Sequence, residues 1–245
     1  MELQSIKQFI DQHGLEQGGD ILAAFTKRVN LKLVPRTTRE EVAIGHSKFG
    51  GYPDLPSASD HPGENLTLLA QFRLSDFTGF ESVEALPKEG VLSFFYDLDE
   101  QPWGDADERH LWRVFYTEAM TLERVRVGEA LNERAVAFEE GYAQNDHDLF
   151  DLMSEDEYAA FEELFDEDEA HAVGGHPDEV QHDVFEEIEE THGERFGDPF
   201  LLFQMDSSEE LDIMFGDAGI LYFLIPTEAL RAKHFEEAEI IMQCY

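Results

Sequence analysis

A short pattern of two apolar strands occurs twice in the sequence and limits the folds open to this chain. The run LLAQF at residues 68–72 resembles LLFQM at residues 201–205, and the run GVLSFF at residues 90–95 resembles GILYFL at residues 219–224. The copies lie 133 and 129 residues apart, so one duplication with a small change in loop length explains both matches. Chance similarity between two β-hairpins also explains them, because apolar strands resemble one another. The repeat predicts two related halves, each with paired strands.

Apolar periodicity elsewhere predicts helices and strands in separate blocks. Residues 3–13 place apolar side chains on one helical face, and Asp20 caps a second predicted helix that reaches Val29, which gives an N-terminal helical pair. Because helices and strands do not alternate along the chain, we expect an α+β fold with mostly antiparallel sheets. Short apolar or alternating runs bounded by turn residues predict strands at residues 31–33, 66–72, 90–96, 111–116, 122–127, 134–138, 200–205, 219–225 and 238–243.

The sequence predicts a single domain over residues 1–245 with four consecutive parts. Between the halves of the repeat lies an acidic segment, in which Ser154 and Glu157 form a capping-box pattern and Pro177 suits the first turn of a further helix. The four parts are the N-terminal helices (1–30), the first half (31–138), the acidic, mainly helical segment (139–195) and the second half (196–245).

The charge of the chain is strongly negative. Its 55 acidic residues stand against 17 basic ones, and the net charge is −38. Such a surface repels a phosphate backbone, which argues against direct nucleic-acid binding. No Lys or Arg occurs in residues 135–194, so this stretch could dock on a basic protein partner. The same acidity could instead be an adaptation to a salt-rich cytoplasm.

The chain has no predicted membrane span and no export signal. No apolar run approaches the roughly 18 residues that a span requires, and the N terminus lacks the basic and apolar parts of a signal peptide. The single cysteine, Cys244, excludes an internal disulfide, which fits a reducing compartment. We expect a soluble cytoplasmic protein that does not bind membranes, and the sequence leaves its oligomeric state open.

Two glutamines stand in otherwise apolar strands at equivalent places of the repeat, Gln71 in the first half and Gln204 in the second. A buried amide without partners costs about 1–3 kcal/mol, so each amide must be bound. Either the amides tie loops to the sheet, or they line a cleft between the halves and bind a polar ligand. Gly50, Gly51 and Asp217 would border the same cleft, although the glycines also suit turns.

The sequence contains no recognisable catalytic constellation or cofactor motif. It has neither GxSxG nor HExxH, and no phosphate-binding loop pattern. Histidines and aspartates in residues 171–183 are suitable donors for zinc, but their spacing matches no metal-binding motif. We expect no cofactor and no metal, and we favour a non-enzymatic role.

Several motifs, taken in order, resemble those of YwqG-like proteins, a bacterial family grouped under a domain of unknown function. The resemblance covers about residues 30–245 and departs at His61 and Phe215, where that family tends to have Trp. It implies an α+β fold with an internal duplication, and it implies no established activity. The motifs are GGYPDLP at residues 50–56, LAQF at 69–72, LPKEGVLSFF at 86–95, HAVGGHPDEVQHD at 171–183 and the stretch 201–230.

Taken together, these features predict a bacterial binding protein that works by protein–protein contact through its acidic surface. The alternative is a small-molecule binder or enzyme that uses a cleft between the two duplicated halves. Its ligand-binding residues would be Gln71, Gln204, Gly50, Gly51 and Asp217.

Overall fold

The protein is an α+β molecule built on one large sheet, which has ten strands in the described part of the chain. Its computed structural model describes residues 3–35, 41–145, 149, 152–162, 170–193 and 196–245. The described helices are α1 (Leu3–His13), α2 (Gly18–Ala23), α3 (Glu155–Glu162), α4 (Val184–His192) and α5 (Thr227–Ala232). None of them is long and apolar enough to cross a bilayer. The strands are β1 (Phe25–Leu33), β2 (Lys48–Phe49), β3 (Asp54–Leu55), β4 (Thr67–Arg73), β5 (Val91–Tyr96), β6 (Trp112–Thr117), β7 (Glu123–Arg124), β8 (Arg134–Gln144), β9 (Ala172–Val173), β10 (Pro199–Asp206), β11 (Ile220–Pro226) and β12 (Glu239–Gln243).

The large sheet has the same sequence of long and short strands when it is followed inward from either edge. The order is β12-β11-β10-β9-β1-β8-β2-β4-β5-β6, and every neighbouring pair is antiparallel. The long strands β1 and β8 stand at the centre, a two-residue strand follows on each side, and three longer strands complete each half. Strands β3 and β7 form a separate two-stranded sheet. The predicted α+β class and antiparallel pairing are therefore confirmed.

The buried strands present apolar side chains to both faces of the sheet. In β11, Leu221 and Phe223 enter the main core, whereas Tyr222 and Leu224 belong to an outer cluster together with Ile188 of α4. Successive side chains of a strand point to opposite faces, so a continuous apolar run suits a strand covered on both sides. The runs that predicted β4, β5, β10 and β11 have this composition.

Phenylalanine rings from both halves fill the inner face of the sheet. The ring of Phe203 in β10 has its centroid 5.2 Å from that of Phe72 in β4 and 4.8 Å from that of Phe94 in β5. The sheet curves so far that its two edges approach each other, since Trp112 Nε1 donates to the carbonyl oxygen of Ala238 at 3.3 Å. The two halves therefore meet in packed rings at this place.

The N-terminal region differs from its predicted form. The second helix ends at Ala23, and Phe25 and Val29, which its predicted helical spacing included, lie in strand β1. The prediction was wrong here because pairing with other strands determines the conformation of β1. Its residues from Phe25 to Leu33 pair with β8, and Val29 also pairs with β9. Tertiary pairing overrides a short local helical pattern.

The acidic segment, residues 139–195, contains strands as well as helices. Strand β8 continues into it as far as Gln144, and β9 lies within it. The helix predicted from Pro177 begins only at Val184, because Asp183 Oδ1 accepts hydrogen bonds from the first amides of α4 and caps the helix there. The parts of this segment at 146–148, 150–151, 163–169 and 194–195 lie outside the described residues.

Candidate functional site: two glutamine-anchored turns

Gln71, predicted either to tie a loop to the sheet or to line a cleft, is fully buried beneath a turn at residues 50–54. Its side chain takes the outer face of β4, because the adjacent Phe72 enters the main core. Gln71 Oε1 accepts from the amide of Asp54 at 2.8 Å, and its Nε2 donates to the carbonyl oxygen of His46 and to Asp54 Oδ2, both at 3.0 Å. The amide group is engaged with the chain itself.

Gln204 repeats this arrangement beneath a second turn, at residues 174–178. Its Oε1 accepts from the amide of Asp178 at 3.0 Å, and its Nε2 donates to the carbonyl oxygen of Ala170 at 2.7 Å and to Asp178 Oδ2 at 2.6 Å. Both turns have the sequence Gly-Gly-x-Pro-Asp, and their four glycines have φ between 57° and 71°. Only glycine adopts such angles readily, so the glycine pairs are explained by the turns.

A network of four charged side chains surrounds the first turn, two of them fully buried and two largely buried. Arg124 Nε donates to Asp54 Oδ1 at 2.8 Å, and Lys48 Nζ lies 3.0 Å from Glu133 Oε2, which also lies 3.4 Å from Arg124 NH1. The side chains of Lys48 and Asp54 are 0% exposed, that of Arg124 is 7% and that of Glu133 is 10%. Two cations balance two carboxylates, which limits the cost of removing the charges from water.

Burial and pairing act in opposite directions on these groups. Burial raises the pKa of Asp54, but hydrogen bonds from Arg124 and Gln71 and the charge of Lys48 outweigh burial and hold this pKa below its ordinary value of 3.8. Burial lowers the pKa of Lys48, and the carboxylates of Asp54 and Glu133 oppose that effect only in part. Asp54 is therefore ionised at neutral pH and binds Arg124 as a carboxylate.

The ion pair at the second turn has fewer charged partners and is more exposed to solvent than the network at the first turn. Arg28 NH1, from β1, donates to Asp178 Oδ2 at 2.6 Å. The side chain of Arg28 is 13% exposed and that of Asp178 is 28% exposed. Both turns therefore combine a glutamine, an aspartate and an arginine, but the arginine comes from the central strand in one turn and from β7 in the other.

The five predicted ligand-binding residues are not brought together at one cleft. Gly50, Gly51 and Gln71 belong to the first turn, Gln204 anchors the second, and Asp217 lies exposed in the loop before β11. Within the described part of the chain, no hydrogen bond or ion pair joins Asp217 to either glutamine. The amides are engaged as loop anchors, and a ligand-binding role for the five residues stays a prediction.

Sequence analysis considered Asp178 only as a possible metal donor and did not single out Asp54, although a signal that pairs the two aspartates is present. The run GGYPD at residues 50–54 and the run GGHPD at residues 174–178 form a second repeat, 124 residues apart. Comparison of the two runs would have paired the aspartates. No such signal marks the arginines, because Arg28 in β1 and Arg124 in β7 do not occupy equivalent positions of a repeat.

One group of potential metal ligands occurs among the described residues, within the histidine-rich motif. Ligand atoms of His176, Glu179 and Asp183 lie within 4.8 Å of one another. Asp183 already caps α4, and His176 Nδ1 lies 3.1 Å from the carbonyl oxygen of Pro177. These residues have the chemistry to hold a divalent cation, and the expectation of no metal stays a prediction.

The fold and the paired turns define a two-part α+β protein with a buried polar anchor in each part. The sequence profile of a family described as a domain of unknown function (DUF1963) matches residues 47–244, which include both turns and both glutamines. The chain belongs to this family, as its motifs predicted. No curated protein shows significant similarity to the sequence. The family match begins after β1, although β1 lies at the centre of the sheet.

Proposed function

We propose that this protein is a non-enzymatic binding protein that docks on a basic protein partner through the exposed carboxylates of residues 139–190, which are together called the acidic surface here. One observation carries the proposal: these carboxylates form no ion pair with any residue that the structure describes. They are Glu139, Glu155, Asp156, Glu186, Glu189 and Glu190.

Nearby cations do little to neutralise this acidic surface. Lys27 reaches Glu140 at 3.6 Å, but Arg28, Lys48 and Arg124 are bound at the two turns. A surface with uncompensated charge of one sign attracts a partner of the opposite sign, raises its association rate and makes the complex sensitive to salt. A basic protein is therefore the partner class that the surface favours.

The test compares two variants with equal net charge. The first neutralises the acidic surface, and the second neutralises four exposed acids elsewhere that form no ion pair with described residues. The first carries Glu155→Gln, Glu186→Gln, Glu189→Gln and Glu190→Gln; the second carries Glu123→Gln, Glu129→Gln, Glu209→Gln and Glu228→Gln.

Each protein is used as bait, and the affinity of every captured partner is then measured against ionic strength. At about 0.5 kcal/mol for each exposed pair, the first variant should bind about 30-fold more weakly than wild type, and the second should bind as wild type does. Equal loss in both variants would contradict docking at this surface. If no partner binds and only the wild type gains stability in molar KCl, the acidity is a salt adaptation.

The alternative of a ligand cleft between the halves is less well supported. The amides of Gln71 and Gln204 are engaged by their own turns, and the rings of Phe72 and Phe203 pack against each other where the two halves meet. The cytoplasmic location and the absence of a cofactor stay predictions.

We further infer that the chain contains a duplicated five-strand unit with exchanged first strands. The units are β1-β2-β4-β5-β6 and β8-β9-β10-β11-β12, and β1 pairs with β9 while β8 pairs with β2. In support, the register between β4 and β5 shifts between Leu68 and Ala70, and that between β10 and β11 shifts between Leu201 and Phe203, 133 residues later in both cases.

The duplication can be tested by aligning the two units across family members. Gly-Gly-x-Pro-Asp and the strand glutamine should recur together in both units. Members that lack the motif in one unit while keeping the strands would contradict a common origin. The N-terminal helical pair lies outside this repeat and stays a prediction.

A further inference from the structure

An open pocket of about 630 Å³ lies at the edge strand β6, and none of the turn residues lines it. Its walls come from residues 59–62, ahead of β4, and from residues 109–115 at the start of β6. Glu236 closes one side. This volume falls within the range of small-molecule sites, which is about 300–1,000 Å³.

One wall of the pocket is apolar. Leu66 and Phe115 line it and belong to the apolar cluster on the outer face of the first half, together with Phe95. Pro62 adds a rigid ring, and the ring of His61 packs edge-on against Phe95 with centroids 5.7 Å apart. A planar apolar group of a ligand would find matching surfaces here.

The rim of the pocket carries a guanidinium and an imidazole group that have no partner among the described residues. The side chains of Arg113 and His110 are exposed and form no hydrogen bond or ion pair with any described residue. The rim carboxylates each have a partner within the chain. Asp60 accepts a hydrogen bond from Ser57 Oγ at 2.8 Å, and Glu236 lies 3.9 Å from the His234 ring nitrogen. Arg113 is thus available to bind an anion in a chain whose net charge is −38.

Two further side chains of the pocket are held in place. Arg109 lies 3.2 Å from Glu239 Oε2, and its guanidinium stacks on Trp112 with 5.1 Å to the ring centroid. His61 Nδ1 accepts from the amide of Gly63 at 3.3 Å, so Nε2 carries the proton of the neutral ring and is a donor. The pocket therefore combines an exposed cation, Arg113, with a positioned hydrogen-bond donor, His61 Nε2.

We propose that this pocket binds a small aromatic carboxylate. Its ring lies against Pro62 and Phe115, its carboxylate pairs with Arg113, and His61 Nε2 donates to it. A monoanion suits the site better than a phosphate, because the two rim carboxylates and the overall negative charge repel a second negative charge. This site is separate from the acidic surface and does not depend on docking there.

The probes are indole-3-acetate, benzoate and 4-hydroxyphenylacetate, titrated into the full chain and followed by two-dimensional NMR. Indole-3-acetamide, the neutral counterpart of the first probe, is the ligand control. At least one carboxylate should bind saturably with a Kd of about 1 mM or tighter, as its size allows. The amide should bind at least about tenfold more weakly, because it lacks the charge that Arg113 pairs with.

Arg113→Gln is the test variant, and it should weaken carboxylate binding about tenfold. Arg231→Gln is its matched control, since Arg231 is also exposed without a described partner and does not line the pocket. It should leave binding unchanged. Equal weakening by both variants would mean general charge attraction and overturn the proposal. So would a lack of saturable binding by all three carboxylates at about 10 mM, because a built site of this size must bind one of them.

Discussion

Replacement of Asp54 by Asn should lower the free energy of unfolding by about 3 kcal/mol, because it leaves Arg124 and Lys48 with one carboxylate fewer in a buried site. The matched variant at the second turn, Asp178→Asn, should cost only about 1 kcal/mol. Its ion pair with Arg28 uses one carboxylate oxygen, whereas Arg124 binds both oxygens of Asp54, and it retains contact with water. Urea denaturation of the three proteins measures both differences.

The cost of Asp54→Asn should also depend on pH. The pKa of Asp54 lies below 3.8 in the folded protein, so the unfolded chain binds more protons between that pKa and 3.8. The carboxylate therefore stabilises the wild type fully above pH 3.8, and this contribution is lost as the pH falls through the folded pKa. The difference in the free energy of unfolding between wild type and Asp54→Asn should be constant from about pH 5 to 7 and should become smaller below that range. Two results together would contradict a stabilising role of the network around Asp54. They are an equal loss of unfolding free energy in Asp54→Asn and Asp178→Asn, and a loss in Asp54→Asn that does not become smaller at low pH.

A shortened chain of residues 35–245 should fail to form a folded monomer, although it keeps the whole stretch that matches the family. It lacks β1, so β8 and β9 each lose a neighbour. Four large buried side chains of residues 21–31 are among those lost with it, at about 1.5–3 kcal/mol each, which approaches a typical total stability of about 5–15 kcal/mol. These side chains are Ile21, Phe25, Val29 and Leu31.

Near-ultraviolet circular dichroism and size-exclusion chromatography distinguish the outcomes of this truncation. A synthetic peptide of residues 24–34, added to the shortened chain, should restore native signals. The same peptide with Val29→Asp should not, because Val29 is fully buried in the sheet. A shortened chain that melts cooperatively as a monomer would show that β1 is dispensable.

Strands that are apolar on both faces were predictable, whereas only the last residues of the central strand β1, 31–33, were predicted as a strand. β4 and β10 appear in the sequence as continuous apolar runs, each with one glutamine, and their pairing with the following strands is local. β1 alternates only in part, and its first residues also fit helical spacing. Its partners begin at Arg134 and Ala172, so no local pattern reports its pairing.

The polar part of the candidate site was only half predictable, for a similar reason. The glutamines are visible because an amide is unusual among apolar neighbours. The aspartate–arginine pairs are not visible, because Arg124 and Asp54 lie 70 residues apart and Arg28 and Asp178 lie 150 residues apart. The pocket at β6 is assembled from three separate stretches, and Arg113 stands out only once its surroundings are known to lack a partner for it.

The central place of β1 also affects how the protein is made. A ribosome that releases about 5–20 residues per second needs about 5–20 s to go from the end of β1 to the beginning of β8. During that interval the apolar side chains of β1 have no sheet to join, and such surfaces are those that chaperones bind on nascent chains. The outer strands β4, β5 and β6 can pair as they emerge, because each follows its neighbour. The middle of the sheet must wait for the second half of the chain.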